Sequence, residues 1–205
     1  MSDDLPIYSD SIFRNENPYP ALTGVTDPER ERLLDRFDGL DHGEGASNAR
    51  SALTSIEGSG KEDIIGVHRT LFAPRDGAGV LRSRPVAAAF PGQDCPDPQF
   101  IGQSLNNLER WLSVDSLGEL HPIQQAALAL TRVVDIWPFD YGNKSVAVVF
   151  ANSFLLRRDV PPFFVPASLG DEFDAVLADA IRMQTDSLCR AIYKCIEREL
   201  DSVRE

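Results

Sequence analysis

The chain has 205 residues, enough for one domain with a substantial core and too few for two comfortable ones. Hydrophobic residues make up 42%, which excludes a disordered chain, and a net charge of −12 with a pI of about 4.7 opposes binding to phosphate backbones and anionic membranes. No run approaches the ~18 apolar residues of a membrane helix and the N-terminus has no apolar signal core, so a cytoplasmic protein without nucleic-acid or membrane partners is expected.

Residues 1–28 are rich in Asp, Asn, Pro and Tyr and read as an extended or mobile acidic arm. Asp27-Pro28 then opens a helix, with Asp27 as cap and Gly39 near the end. Residues 41–46 form a loop containing His42, read as exposed. Ser47 to Glu57 suits a short helix stopped by Gly58 and Gly60. Lys61 to Phe72 is a stronger one, carrying Ile64, Ile65, His68 and Leu71 at helical spacing, so His68 reads as a satisfied core histidine. Pro74 to Gly79 is a turn cluster, and residues 80–90 form a small β-hairpin or an extended flap.

Asp97-Pro98 starts the next helix, with Ile101, Leu105, Leu108, Trp111 and Leu112 as its apolar stripe. His121 caps a helix opened by Pro122, and residues 122–136 are apolar almost all round, which marks a central, buried helix. WPFDYG breaks it at 137–142, and Asn143 to Arg157 continues as a second apolar helix that ends before Pro161-Pro162. Residues 171–199 are helical again, with Asp171 as a cap and a break at Thr185-Asp186. The sum is a single all-α domain over 29–205, of about seven to eight helices with a small β-hairpin flap. Cys95, Cys189 and Cys195 are odd in number and fit no zinc spacing, so they read as idle thiols, and no metal site is expected.

The chemistry concentrates where two buried helices meet through Pro138, Phe139, Gly142 and Asn143. A helix that starts after such a loop exposes backbone N–H groups, an anion site by geometry and dipole. Gly142, Asn143 and Lys144 are therefore candidate phosphate or ligand contacts, or else a turn kept for folding. Trp137 is either a stacking aromatic in a pocket or a core filler, and Asp140 either a metal ligand or a cap or exposed loop residue.

This arrangement resembles the Fic (Fido) family, whose motif reads HPFxDGNGRxxR. Pro138, Phe139, Gly142 and Asn143 match in register. His121-Pro122 with Ala126-Ala127 is similar to the family's preceding helix, and residues 152–162 to its following helix. IIGVHRTLF (64–72), Gly79, Arg82 and Val86 resemble the helix and flap that hold a target segment. Thr54, Ser55, Ile56, Glu57 and Gly58 resemble the inhibitory helix of self-inhibited members. The resemblance covers roughly residues 47–200.

What it implies is a protein adenylyltransferase, moving AMP from ATP, but the departures cut against that activity. The family's base is His and here is Trp137, whose indole cannot accept the proton. Its metal-holding acid is Tyr141, its first phosphate arginine Ser145, its second Val148, and the Gly after Asn is Lys144. Each loss of this kind costs ~10²–10⁴-fold in rate. Glu57 would lose its partner at Val148. The favoured expectation is a pseudoenzyme that binds or regulates a protein. No cofactor is expected, and residual nucleotide binding is left open. The alternatives are a divergent nucleotidyl, phosphoryl or phosphocholine transferase at the same loop, and a helical interaction protein that binds no nucleotide.

Overall fold

The computed structural model describes residues 19–39, 45–113 and 119–204. These contain eight α-helices: α1 (Asp27–Asp38), α2 (Ala49–Thr54), α3 (Lys61–Phe72), α4 (Pro98–Leu112), α5 (Pro122–Ile136), α6 (Asn143–Leu156), α7 (Gly170–Ile181) and α8 (Asp186–Arg204). The all-α expectation holds, and so does the break at Thr185-Asp186.

The centre is the α5–α6 pair, which folds back on itself through 137–142. Pro122 sits in the first turn of α5, where its missing N–H is no loss, and His121 caps the helix. The His121 Nδ1 accepts from the Ile123 N–H at 3.2 Å, while Gln124 Oε1 takes the His121 N–H at 3.1 Å. Around this pair lie α2, α3 and α4 on one side and α7 and α8 on the other, with α1 bridging α2 and α8.

A buried asparagine clamps the backbone of a phenylalanine at each end of α6. Asn143 exchanges two hydrogen bonds with Phe139, at 2.9 and 2.8 Å. Asn152 does the same to Phe163, both at 2.8 Å. A buried amide must find partners, and these two find them in the chain entering and leaving the helix.

Four expectations need correction. Residues 80–90 carry no strand. Pro85 has no N–H to give to a ladder, and the Arg82 N–H donates to Pro138 O at 2.9 Å instead. The cap of α1 is Thr26, not Asp27: its hydroxyl accepts from the Glu29 N–H, and the Glu29 carboxylate takes the Thr26 N–H in return. At α7 the cap is Leu169, with Asp171 in the first turn. Residues 1–18 lie outside the described residues, but 19–28 are no loose arm. Tyr19 is buried against the rings of His121 and Tyr193, and the Ala21 N–H donates to the Tyr193 hydroxyl at 3.0 Å. His42 also lies outside the described residues.

Candidate functional site

The loop begins where α5 stops. Trp137 takes the left-handed conformation at φ 49°, and Pro138 follows, so the helix cannot continue. Phe139 is fully buried and stacks on His68 at 3.9 Å between ring centroids. His68 ties three segments together. Its Nδ1 accepts from the Gly79 N–H at 2.8 Å, which leaves the ring hydrogen on Nε2, 3.2 Å from Tyr141 O. The core-histidine reading was correct, and the ring also sets the height of the loop above α3.

Tyr141 is held from three directions. Its hydroxyl donates to Asp76 O at 3.0 Å, the Arg75 guanidinium lies 3.5 Å over its ring, and Phe72 meets it edge-on at 5.1 Å. Asp140 is exposed. Gly142 needs to be glycine for two reasons: its φ is +71°, and a Cβ would overlap the Phe72 ring. The room beside its backbone is thus taken by Phe72. Asn143 spends both ends of its amide on Phe139. Lys144 is half-exposed and pairs with Asp174 at 2.8 Å, near the ring of Phe90. Ser145 is buried and Val148 half-buried.

The flap is fastened to this loop by Arg82, which is only 2% exposed. Its guanidinium donates to Trp137 O at 2.8 Å, Arg84 O at 3.0 Å and Pro96 O at 2.6 Å. Phe90 packs edge-on against the indole of Trp137 at 6.1 Å, and Val86 is half-buried. Trp137 is therefore partly packed into the core and partly covered by the flap.

Residues 54–58 meet α6 at its far end. Thr54 ends α2, Ser55 caps it, and Ile56 is half-buried. The Glu57 side chain is exposed, so it is not a buried carboxylate in need of a partner. The N–H groups of Glu57 and Gly58 bond to Asp63, and Arg157 at the end of α6 donates to Gly58 O.

Behind the first turns of α6 lies a cavity of about 440 Å³. Lys144, Ser145 and Val148 face it from α6, Asp174 from α7, and Arg198 and Glu199 from α8. Sequence reasoning missed Arg75, Asp76, Asp174 and Glu199. Only Asn152, a lone amide in an apolar helix, carried a signal that could have been read. Among the described residues no group of three His, Cys, Asp or Glu stands where it could hold a metal ion. Burial pushes the thiols of Cys189 and Cys195 up to about 12 and about 11, away from reactivity.

Central paired helices, a Pro-Phe-x-x-Gly-Asn loop between them and a flap fastened beside it define a Fic-type helical domain. Residues 58–155 match the model of the Fic/DOC family, and the sequence relatives and structural neighbours support membership of that family. It is 29% identical over 143 residues to a protein adenylyltransferase Fic of Drosophila erecta, covering 68% of this chain and 28% of that protein. The chain thus spans little more than a quarter of the curated relatives it matches. Among solved structures, Fic-1 (residues 134–508) from C. elegans superposes with a TM-score of 0.63 at 26% identity, over 77% of this chain and 48% of that one. A Fic-domain signaling protein from Bacteroides thetaiotaomicron shares the fold, with a TM-score of 0.66 at 18% identity over 89% and 92% of the two chains.

Proposed function

We propose that this chain is a Fic-fold binding or regulatory module and not a working adenylyltransferase. The observation that carries the reading is the environment of Tyr141. It stands at the position that resembles the family's metal-holding acid, and its hydroxyl, ring face and ring edge are all engaged by Asp76, Arg75 and Phe72. The residues here do not fit a resident divalent cation, since Tyr141 offers no carboxylate and Asp140 points to solvent. Trp137, at the position of the family's base, has no acceptor nitrogen. Ser145 and Val148 put no cation where the two arginines would grip phosphates.

The partner under this reading is a protein segment laid along the exposed residues of 83–89, which are outside any internal sheet. No cofactor is required, and a cytoplasmic location belongs to the same proposal. None of the described helices is long and apolar enough to cross a membrane. The test is incubation with labelled ATP and Mg²⁺, alone and with cell lysate. Label on any protein should not exceed the blank without this chain, and clear AMP transfer that depends on it overturns the proposal. Combining Trp137→His, Tyr141→Asp, Ser145→Arg and Val148→Arg should recover little transfer, because Phe72 and Arg75 still occupy the ground beside the loop.

A further inference from the structure

The end of α5 away from the loop carries a contact that depends on a proton. His121 Nδ1 accepts the Ile123 N–H at 3.2 Å, so that nitrogen holds no hydrogen and the ring is neutral. The face of the same ring lies against Tyr19, with 4.5 Å between centroids. Tyr19 is 4% exposed and meets Tyr193 of α8 on another side, at 5.0 Å. The Ala21 N–H then fastens the next turn to the Tyr193 hydroxyl, which also bonds to Glu197 at 3.1 Å. Residues 19–22 are thus a strap laid on α8, its one buried ring resting on the cap of α5.

A second proton on His121 has to enter at Nδ1. It would set a donor against the Ile123 N–H and remove that amide's acceptor. It would also place a positive charge at the N-terminal end of α5, where the helix dipole is already positive. Burial opposes the same charge and holds His121 below its usual 6.5. The other ionisable groups nearby are Tyr193 and Glu197, then Asp186, Cys189 and Arg190, which reach Tyr19 from α8. Glu119, two residues before His121, is exposed. Burial pushes the two phenols and the Cys189 thiol up, so all three stay uncharged below neutral pH.

We propose that His121 is a proton-operated latch: its protonation breaks the cap of α5 and loosens residues 19–22 from α8 while the central helices stay folded. The imidazolium is disfavoured only while the strap is docked. Docking is therefore at full strength above pH 6.5 and weakens as pH falls below it, towards the lowered His121 value. The latch is independent of what the 137–142 loop does, since it sits at the other end of a 15-residue helix.

The test is an NMR titration of the full chain from about pH 7.5 to about pH 5, with amide exchange rates corrected for their intrinsic pH dependence. The His121 ring signal should titrate with a midpoint below 6.5. Protection of the Ala21 amide should fall roughly tenfold along the same curve, the equivalent of a one-unit shift, while Leu130 and Val134 keep theirs. His121→Asn retains a capping side chain but takes up no proton in this range, so its Ala21 amide should stay protected throughout. Three results overturn the proposal. Ala21 protection that stays constant while His121 titrates shows the strap to be indifferent to the ring. A His121 midpoint at or above 6.5 shows that docking does not resist the proton. Loss of Ala21 protection that persists in His121→Asn assigns the release to a carboxylate such as Asp186 or Glu197. The joint titration is read on the unaltered protein, so it decides the matter even if His121→Asn fails to fold.

Discussion

The two sides of the first turn of α6 are finished in opposite ways. On the loop side the groups that shape the turn are engaged: Asn143 with Phe139, His68 with Gly79 and Tyr141, Tyr141 with Asp76 and Arg75. On the cavity side the walls are mostly apolar, and the charged groups among them are paired with one another, Lys144 with Asp174 and Arg36 with Glu199. Satisfied polar networks rigidify a structure, whereas an open apolar space leaves the side chains around it room to repack.

The strongest way to break this contrast is Phe139→Ala. It removes the ring that seats the loop on His68 and should cost about 3–5 kcal/mol in chemical denaturation. A loss under 1 kcal/mol would mean the loop is not anchored there. Gly142→Ala comes next, at about 2–4 kcal/mol, since it adds left-handed strain to a clash with Phe72. Crossing to the other side, Val148→Leu grows into open space and should raise stability by about 0.5–2 kcal/mol. A destabilised Val148→Leu protein would show the cavity to be smaller than it looks.

The smallest effect concerns the wall itself. Arg36 on α1 and Glu199 on α8 face the cavity, and Glu29 clasps these helices together through Arg204 at 2.7 Å. The Arg204 hydrogen bond, then those from Thr26, hold the Glu29 carboxyl at about 2, below its usual 4.5. Its stabilising share is thus complete above pH 4.5 and is lost as pH falls through about 2. Melting curves between pH 7 and pH 2 should show Glu29→Gln below the parent at neutral pH, with the two converging in acid. Parallel curves would mean that the clasp adds nothing.

Much of this was legible in the sequence where punctuation was strong. Pro98 and Pro122 open α4 and α5 in the first turn, and Gly60 and Pro74 bracket α3. The α5–α6 loop stood out because Pro138 and Gly142 interrupt an otherwise apolar stretch. The flap was misjudged because its apolar run, Val86 to Phe90, looks like a strand. Its terminal N–H groups are instead taken by a side chain: Gln93 Oε1 accepts from Ala89 at 2.7 Å and Phe90 at 3.1 Å. The cap at Thr26 was readable as T-x-x-E, but Asp27-Pro28 drew attention one residue too far. The cavity had no local signature at all. It forms from residues of α1, α5, α6, α7 and α8 and of the 164–166 stretch, and no spacing along the chain predicts that Glu199 and Val148 line one space.

Arg82 leaves a mark on how the molecule comes apart. Residues 80–96 are bound to the body of the protein through borrowed carbonyls, those of Trp137 and Pro138 by Arg82 and that of Val134 by Gln93. The Arg82 N–H should exchange with solvent only when its end of the flap lifts, whereas the Ala89 and Phe90 N–H groups are guarded separately by Gln93. Opening the flap therefore requires two buried side chains to let go, Arg82 at one end and Gln93 at the other.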